Sequence, residues 1–218
     1  MMSNEIRVWD PLIRIFHWSL VLAFTVAYLS GDEESSLHIY SGYVVLGLIA
    51  FRVLWGLIGT RYARFSNFVY SPGTVIQYLK DLVAKNPKHY VGHNPAGGWM
   101  VIAMLLCLFI VSVSGLKVYA IEEGLGPLAD ETPALTIISP AYADDDGDDL
   151  GNHEKNENGH GEDEEAEEYW EEIHEVSSYF MLLLIFLHIA GVIVSGRLHN
   201  DHLVKAMLTG KKISKTDA

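Results

Sequence analysis

The chain has one cysteine, Cys107, in 218 residues. That excludes an intramolecular disulfide framework, a Cys-x-x-Cys zinc site and the Cys-x-x-Cys-His signature of covalently attached haem. Charge is also sparse. Asp, Glu, Lys and Arg make up 20% of the residues and apolar types 50%, against about a quarter charged in an average soluble chain. With a mean hydropathy of +0.17, the sequence is neither wholly disordered nor an ordinary soluble domain. The 15 Lys and Arg form no basic groove, and the formal net charge of −13 argues against a nucleic-acid partner. This acidity is local. Between Asp144 and Glu172 there are 15 acidic residues and a single base, Lys155, while elsewhere 13 acids face 14 bases. No solenoid-like internal repeat is present.

What the sequence does have is four apolar stretches. A helix crossing a bilayer needs about 20 mostly apolar residues, and the sequence places spans at 12–30, 37–58, 96–117 and 172–196. The first is the shortest. It has a basic flank and a short apolar core but no convincing Ala-x-Ala site before Gly31, so it reads as a retained span rather than a cleaved signal. The expected fold is an all-α membrane protein: a four-transmembrane-helix bundle forming one domain over residues 1–218. Lys and Arg collect at the N-terminus (Arg7, Arg14), between spans 2 and 3 (Arg61, Arg64, Lys80, Lys85, Lys88) and in the tail (Arg197, Lys205, Lys211, Lys212, Lys215). This asymmetry places both termini in the cytoplasm, in a bacterial inner membrane. Residues 144–168 lack periodicity and read as a disordered acidic periplasmic insert. Amphipathic helices are expected at 71–85 and 200–209.

Ten histidines are present, and an ionisable group inside a span reads as functional by default. His17 opens span 1, His38 opens span 2, and His174 and His188 lie on span 4. The last two are 14 residues apart, which puts them within roughly 40° on one helix face and about 21 Å apart along the axis. His38 and His174 then share the outer level, and His17 and His188 the inner level. A single histidine at a helix end is ordinarily an interfacial polar residue. Four at matched depths suit non-covalent b-type haem held between axial imidazoles. The two pairs lie too far apart to build one four-ligand zinc or copper site.

An ordered set of motifs surrounds these histidines. Val8-Trp9-Asp10-Pro11, Arg14 and Phe16-His17-Trp18 lead into span 1. His38 with Gly42-Tyr43 and then Phe51-Arg52-Val53-Leu54-Trp55-Gly56 occupy span 2. Gly92-His93-Asn94-Pro95 and Gly97-Gly98 precede span 3. Trp170-Glu171-Glu172-Ile173-His174-Glu175 and His188 mark span 4. The set resembles the bacterial cytochrome b561 family, in the branch of nickel-iron hydrogenase cytochrome b subunits, over nearly the whole chain except the acidic insert. The resemblance implies a four-helix bundle with two haem b groups on the four histidines already named.

Other residues carry weaker readings. Arg14, one turn before His17, is a candidate for a haem propionate. Arg52, at the inner end of span 2, reads as the positive boundary of that span, with a haem propionate as the alternative partner. Lys117 follows span 3 on the outer side, where it suits a propionate or an anionic substrate. Gly42 and Gly191 either admit a flat porphyrin or serve ordinary helix packing. His93 reads as a turn or cap residue, Cys107 as inert packing, and His153 and His160 as parts of a solvated tail.

The function expected is electron transfer between the quinone pool and a periplasmic carrier such as a c-type cytochrome, which the acidic insert would attract if cationic. Alternatives are a superoxide:quinone oxidoreductase, a membrane anchor for a larger hydrogenase or dehydrogenase subunit, and a haem-free metal-binding sensor using the insert.

Overall fold

The computed structural model describes residues 4–31, 35–129, 157–199 and 201–214. Helix α1 (Pro11–Leu29) starts where Asp10 accepts a 3.0 Å bond from the Ile13 amide and Pro11 supplies a pre-set φ at the first turn. The same carboxylate accepts from the Thr60 hydroxyl at 2.6 Å and the Trp55 indole at 3.3 Å. One buried aspartate therefore joins the start of α1 to the end of α2 (Ser36–Ile58). Burial alone would raise its pKa, but the bonds from Thr60, Ile13 and Trp55 outweigh it and hold the carboxyl below its usual value.

After a 3₁₀ turn at Phe65–Asn67, the short helix α3 (Pro72–Val83) opens on Ser71 and runs to α4 (Pro95–Glu123), which Asn94 caps through the Gly97 amide at 2.7 Å. A side chain at Gly98 would run into the Phe68 backbone, so this glycine is what lets the loop lie against α4. Helix α4 outruns its expected end at 117, because nothing breaks it before Gly124 takes up left-handed backbone at φ +65°.

Helix α5 (Glu157–His199) begins inside the acidic stretch, where the sequence reading expected disorder. Glu and Ala are good helix formers, and carboxylates near a helix N-terminus are stabilised by its dipole. The rest of that insert, 144–156, lies outside the described residues. Helix α6 (Leu203–Thr209) follows, and strand β2 (Lys211–Ser214) pairs antiparallel with β1 (Asn4–Arg7), Asn4 opposite Ser214. Both ends of the chain therefore meet at one end of the bundle.

Among the described residues four helices are long and apolar enough to cross a membrane: α1, α2, α4 and residues Glu164–His199 of α5. Their common core is Ala23, Val45, Ile49, Cys107, Leu108, Met181 and Leu184. The outside is equally apolar: Leu22, Leu54, Leu106 and Phe186 are all more than half exposed, as suits lipid rather than water. Helix α5 packs closely along α4, α1 along α2, and α2 along α4. Pairings of α5 with α1 and α2 are sparse.

Candidate cofactor site

The candidate histidines line the space between the α1–α2 pair and α5. On α5 a spacing of seven puts His174, Met181 and His188 on one face, with Met181 buried in the core between the two imidazoles. On α2 the residues facing the same space are His38, Ser41, Val45, Ile49, Arg52 and Gly56, of which all but His38 are buried.

His38 and His174 come together at the end of the bundle away from the chain termini. Their ring centroids are 5.9 Å apart and the planes cross at 78°. Two imidazoles ligating one iron from opposite sides place their centroids about 6 Å apart, since a metal–imidazole nitrogen bond is about 2 Å. Each ring is anchored by its other nitrogen. His38 Nδ1 lies 2.9 Å from the Ala27 carbonyl oxygen, and His174 Nδ1 lies 2.9 Å from that of Val111 and 3.3 Å from Ser114 Oγ. A carbonyl only accepts, so Nδ1 carries the proton in both rings. That leaves the Nε2 lone pair of each available to a metal. Gly115 makes room for this arrangement, because a Cβ there would stand 2.8 Å from Cε1 of His174.

His17 and His188 occupy the level nearer the termini. His188 lies close enough to His17 to interact with it electrostatically across the bundle. The His17 ring packs edge-on to Trp18 at 5.1 Å, and its buried Nδ1 has no hydrogen-bond partner among the described residues. Gly42 lies one turn from His38 and Gly191 one turn from His188. A Cβ at either would meet nothing within 4 Å, so helix packing does not require these glycines. The paired rings, the sparse α5 pairings and the two bare backbone surfaces all fit a flat, iron-centred macrocycle.

The remaining candidates fall at varied distances from these pairs. Arg14 donates from its guanidinium to the Leu208 carbonyl and so ties α1 to α6. Lys117 is half-buried on α4, two residues beyond Gly115, inside the helix rather than after it. Cys107 is buried and points at the Ser177 carbonyl. His153 lies outside the described residues, and among those described no group of three or more His, Cys, Asp or Glu is placed to hold a metal ion.

Two residues that the sequence singled out without showing their burial lie toward the inner end of the bundle. Arg52 is only 3% exposed. His93 packs between Trp9 at 4.6 Å and Phe68 at 4.4 Å. Burial, with Arg52, His188 and Lys212 nearby, pushes its pKa down to about 3, so the ring is neutral. The spacing of 14 between His38 and Arg52, equal to that between His174 and His188, is the signal that was available.

Comparison with known proteins agrees with this geometry. The family model for prokaryotic cytochrome b561 matches residues 8–210. A protein of Azotobacter vinelandii named probable Ni/Fe-hydrogenase B-type cytochrome subunit is 22% identical, over 99% of this chain and 91% of its own length. One of the same name from Rhodobacter capsulatus is 21% identical, over 98% and 84%. No solved structure matches. The chain thus belongs to the prokaryotic cytochrome b561 family, multi-pass membrane cytochromes that carry haem b and transfer electrons.

Proposed function

We propose that this protein is a dihaem cytochrome b of the bacterial inner membrane that exchanges electrons between the quinone pool and a periplasmic one-electron carrier, a c-type cytochrome. The observation that carries the reading is the His38–His174 pair, with rings 5.9 Å apart and both Nδ1 atoms committed to carbonyl oxygens. Bis-imidazole haem b supplies a one-electron couple with no open coordination site, which suits electron transfer rather than oxygen binding. His38 and His174 would hold the outer group through Nε2, and His17 and His188 the inner one. The Lys and Arg distribution puts the joined termini in the cytoplasm, so the two levels lie near opposite faces of the bilayer.

A cleft of about 410 Å³ between α1 and α6, on a face of α1 other than that of His17 but at its depth, supports a quinone site at the inner level. It is lined by Pro11, Arg14, Ile15, Trp18, Ser19, Met207 and Leu208. Its wall is mostly apolar, as an isoprenoid tail requires, and Arg14 and Ser19 offer donors to a quinone carbonyl.

Proteoliposomes carrying the protein, loaded with quinol and mixed with external cationic cytochrome c, test the reading. Reduction of the cytochrome is expected, and it should fall to background in His17→Ala and in His38→Ala. Equal rates in these variants would overturn the reading. The names of the relatives favour a second reading, in which the periplasmic partner is a larger hydrogenase-type subunit. That reading predicts stable co-purification of such a subunit from native membranes.

A further inference from the structure

Arg52 is a full charge at an unusual place. It sits on the same inward face of α2 as His38, 14 residues further along, and thus about 21 Å deeper. His188 is displaced from His174 by the same amount on α5, which also runs from the His38–His174 level toward the chain termini. Arg52 therefore stands at the level of the His17–His188 pair. Its exposure is 3%. The Phe65 ring covers the guanidinium at 4.8 Å and Phe68 lies at 5.7 Å, so cation–π contact satisfies the flat face. The donors of a guanidinium point along its edge, and there Nη1 is buried with no hydrogen-bond partner among the described residues. Asp10 is near enough to be felt, but no salt bridge joins the two. Its oxygens already accept from Ile13, Thr60 and Trp55.

His93 adds a second orphan. Its Nδ1 is also buried without a partner among the described residues, and the ring is clamped by Trp9 and Phe68. Arg52 and His188 are both close enough to His93 to act on its charge. Two unanswered polar groups, one of them cationic and the other able to donate in its Nδ1-protonated tautomer, thus lie together among aromatic rings at the level of the inner histidine pair. A carboxylate is the complement to such a pair. Arg14 also has a buried Nε without a partner among the described residues, but its Nη1 is engaged with the Leu208 carbonyl of α6, whereas among those residues no hydrogen bond holds the Arg52 guanidinium.

We infer that Arg52, through the edge of its guanidinium, and His93, through its buried Nδ1, form the seat for the propionate carboxylates of the inner haem. The inference rests on the dihaem reading above. It makes Arg52 a positioning residue for the cofactor rather than a marker of the membrane boundary.

The test is a redox titration of the purified, haem-loaded protein followed in the visible region. Wild type, Arg52→Gln, Arg52→Lys and His93→Phe are compared with Arg64→Gln, which removes an exposed arginine of the neighbouring loop. The inner haem is identified as the one lost in His188→Ala. Arg52→Gln should lower the inner midpoint potential and leave the outer one in place, because loss of a nearby positive charge favours ferric iron. It should also shift the propionate bending band in resonance Raman. Arg52→Lys should retain part of the effect, and Arg64→Gln should show none.

An inner potential and Raman band unchanged in Arg52→Gln would overturn the inference, as would equal shifts at both haems. Absence of any haem from the inner pair in wild type would instead overturn the dihaem reading, a distinct outcome. If Arg52→Gln does not accumulate in membranes, the propionates are altered in its place. His38→Ala apoprotein from haem-starved cells is titrated with haem and with haem dimethyl ester. The ester should bind at least about tenfold more weakly, the loss expected for one hydrogen bond to a charged group. Equal binding would overturn the inference.

Discussion

Replacing Gly115 by alanine separates the site from the fold that carries it. A Cβ at this position would stand 2.8 Å from Cε1 and 3.0 Å from Nδ1 of His174. Carbon and nitrogen are at ease at about 3.5–4.0 Å, so the ring must withdraw by roughly half an ångström or more. It cannot do so and keep Nδ1 2.9 Å from the Val111 carbonyl oxygen. Losing that bond costs about 0.5–1.5 kcal/mol, while alanine gains about 1 kcal/mol over glycine inside a helix. The two nearly cancel, so overall stability should stay within about 1 kcal/mol of wild type. The ligand geometry has no such compensation. Disturbing the group that orients a metal-bound imidazole typically costs about 10–100-fold in affinity, and that loss should fall on the outer haem alone. Haem dissociation into apomyoglobin, followed in the visible spectrum, reads each haem separately. Gly47→Ala is the control, since a Cβ there meets nothing within 4 Å. Unchanged release from both haems in Gly115→Ala would refute the reasoning.

Asp10→Ala removes a helix cap and strands the Thr60 and Trp55 donors, a loss of about 2–3 kcal/mol measurable by detergent-induced unfolding. Because the folded Asp10 carboxyl lies below its ordinary value of 3.8, its contribution is complete above that pH and fades as pH falls through the folded value. Asp10→Asn should flatten this acid limb. Asp201 accepts 3.0 Å contacts from both His89 and Lys212, so Asp201→Asn should release β2 and speed tryptic cleavage after Lys211 and Lys212. Neutralising the aspartates among residues 144–149 should slow electron exchange with a cationic carrier at low salt and have little effect at about 0.15 M, where screening acts within about 8 Å.

The spans and the histidine pairing were legible because both follow from one-dimensional regularities. An apolar run gives a span, and a separation of 14 gives one face and one depth. His38 and His174 do lie ring to ring at one end of the bundle. Arg52 was not legible as a buried group. An arginine at the end of a span fits the positive-inside pattern, and only the docking of Phe65 and Phe68 from the following loop closes over it. His93 was hidden for the same reason, since Trp9 reaches it from far away in sequence. The β1–β2 pairing joins the two ends of the chain, and segments four residues long carry no periodic signal. The acidic start of α5 misled because charge density was read as disorder. In that segment Glu and Ala favour helix, and the long apolar helix that follows supplies the nucleus.

The central claim is two haems on four histidines, and a reduced-minus-oxidised visible spectrum with pyridine haemochrome quantitation tests it most directly. Wild type, His38→Ala and His188→Ala would be purified in detergent. The account predicts two b haems per chain in wild type and one in each variant, with a different spectral component missing from each. One haem in wild type, or loss of the same component in both variants, would contradict it.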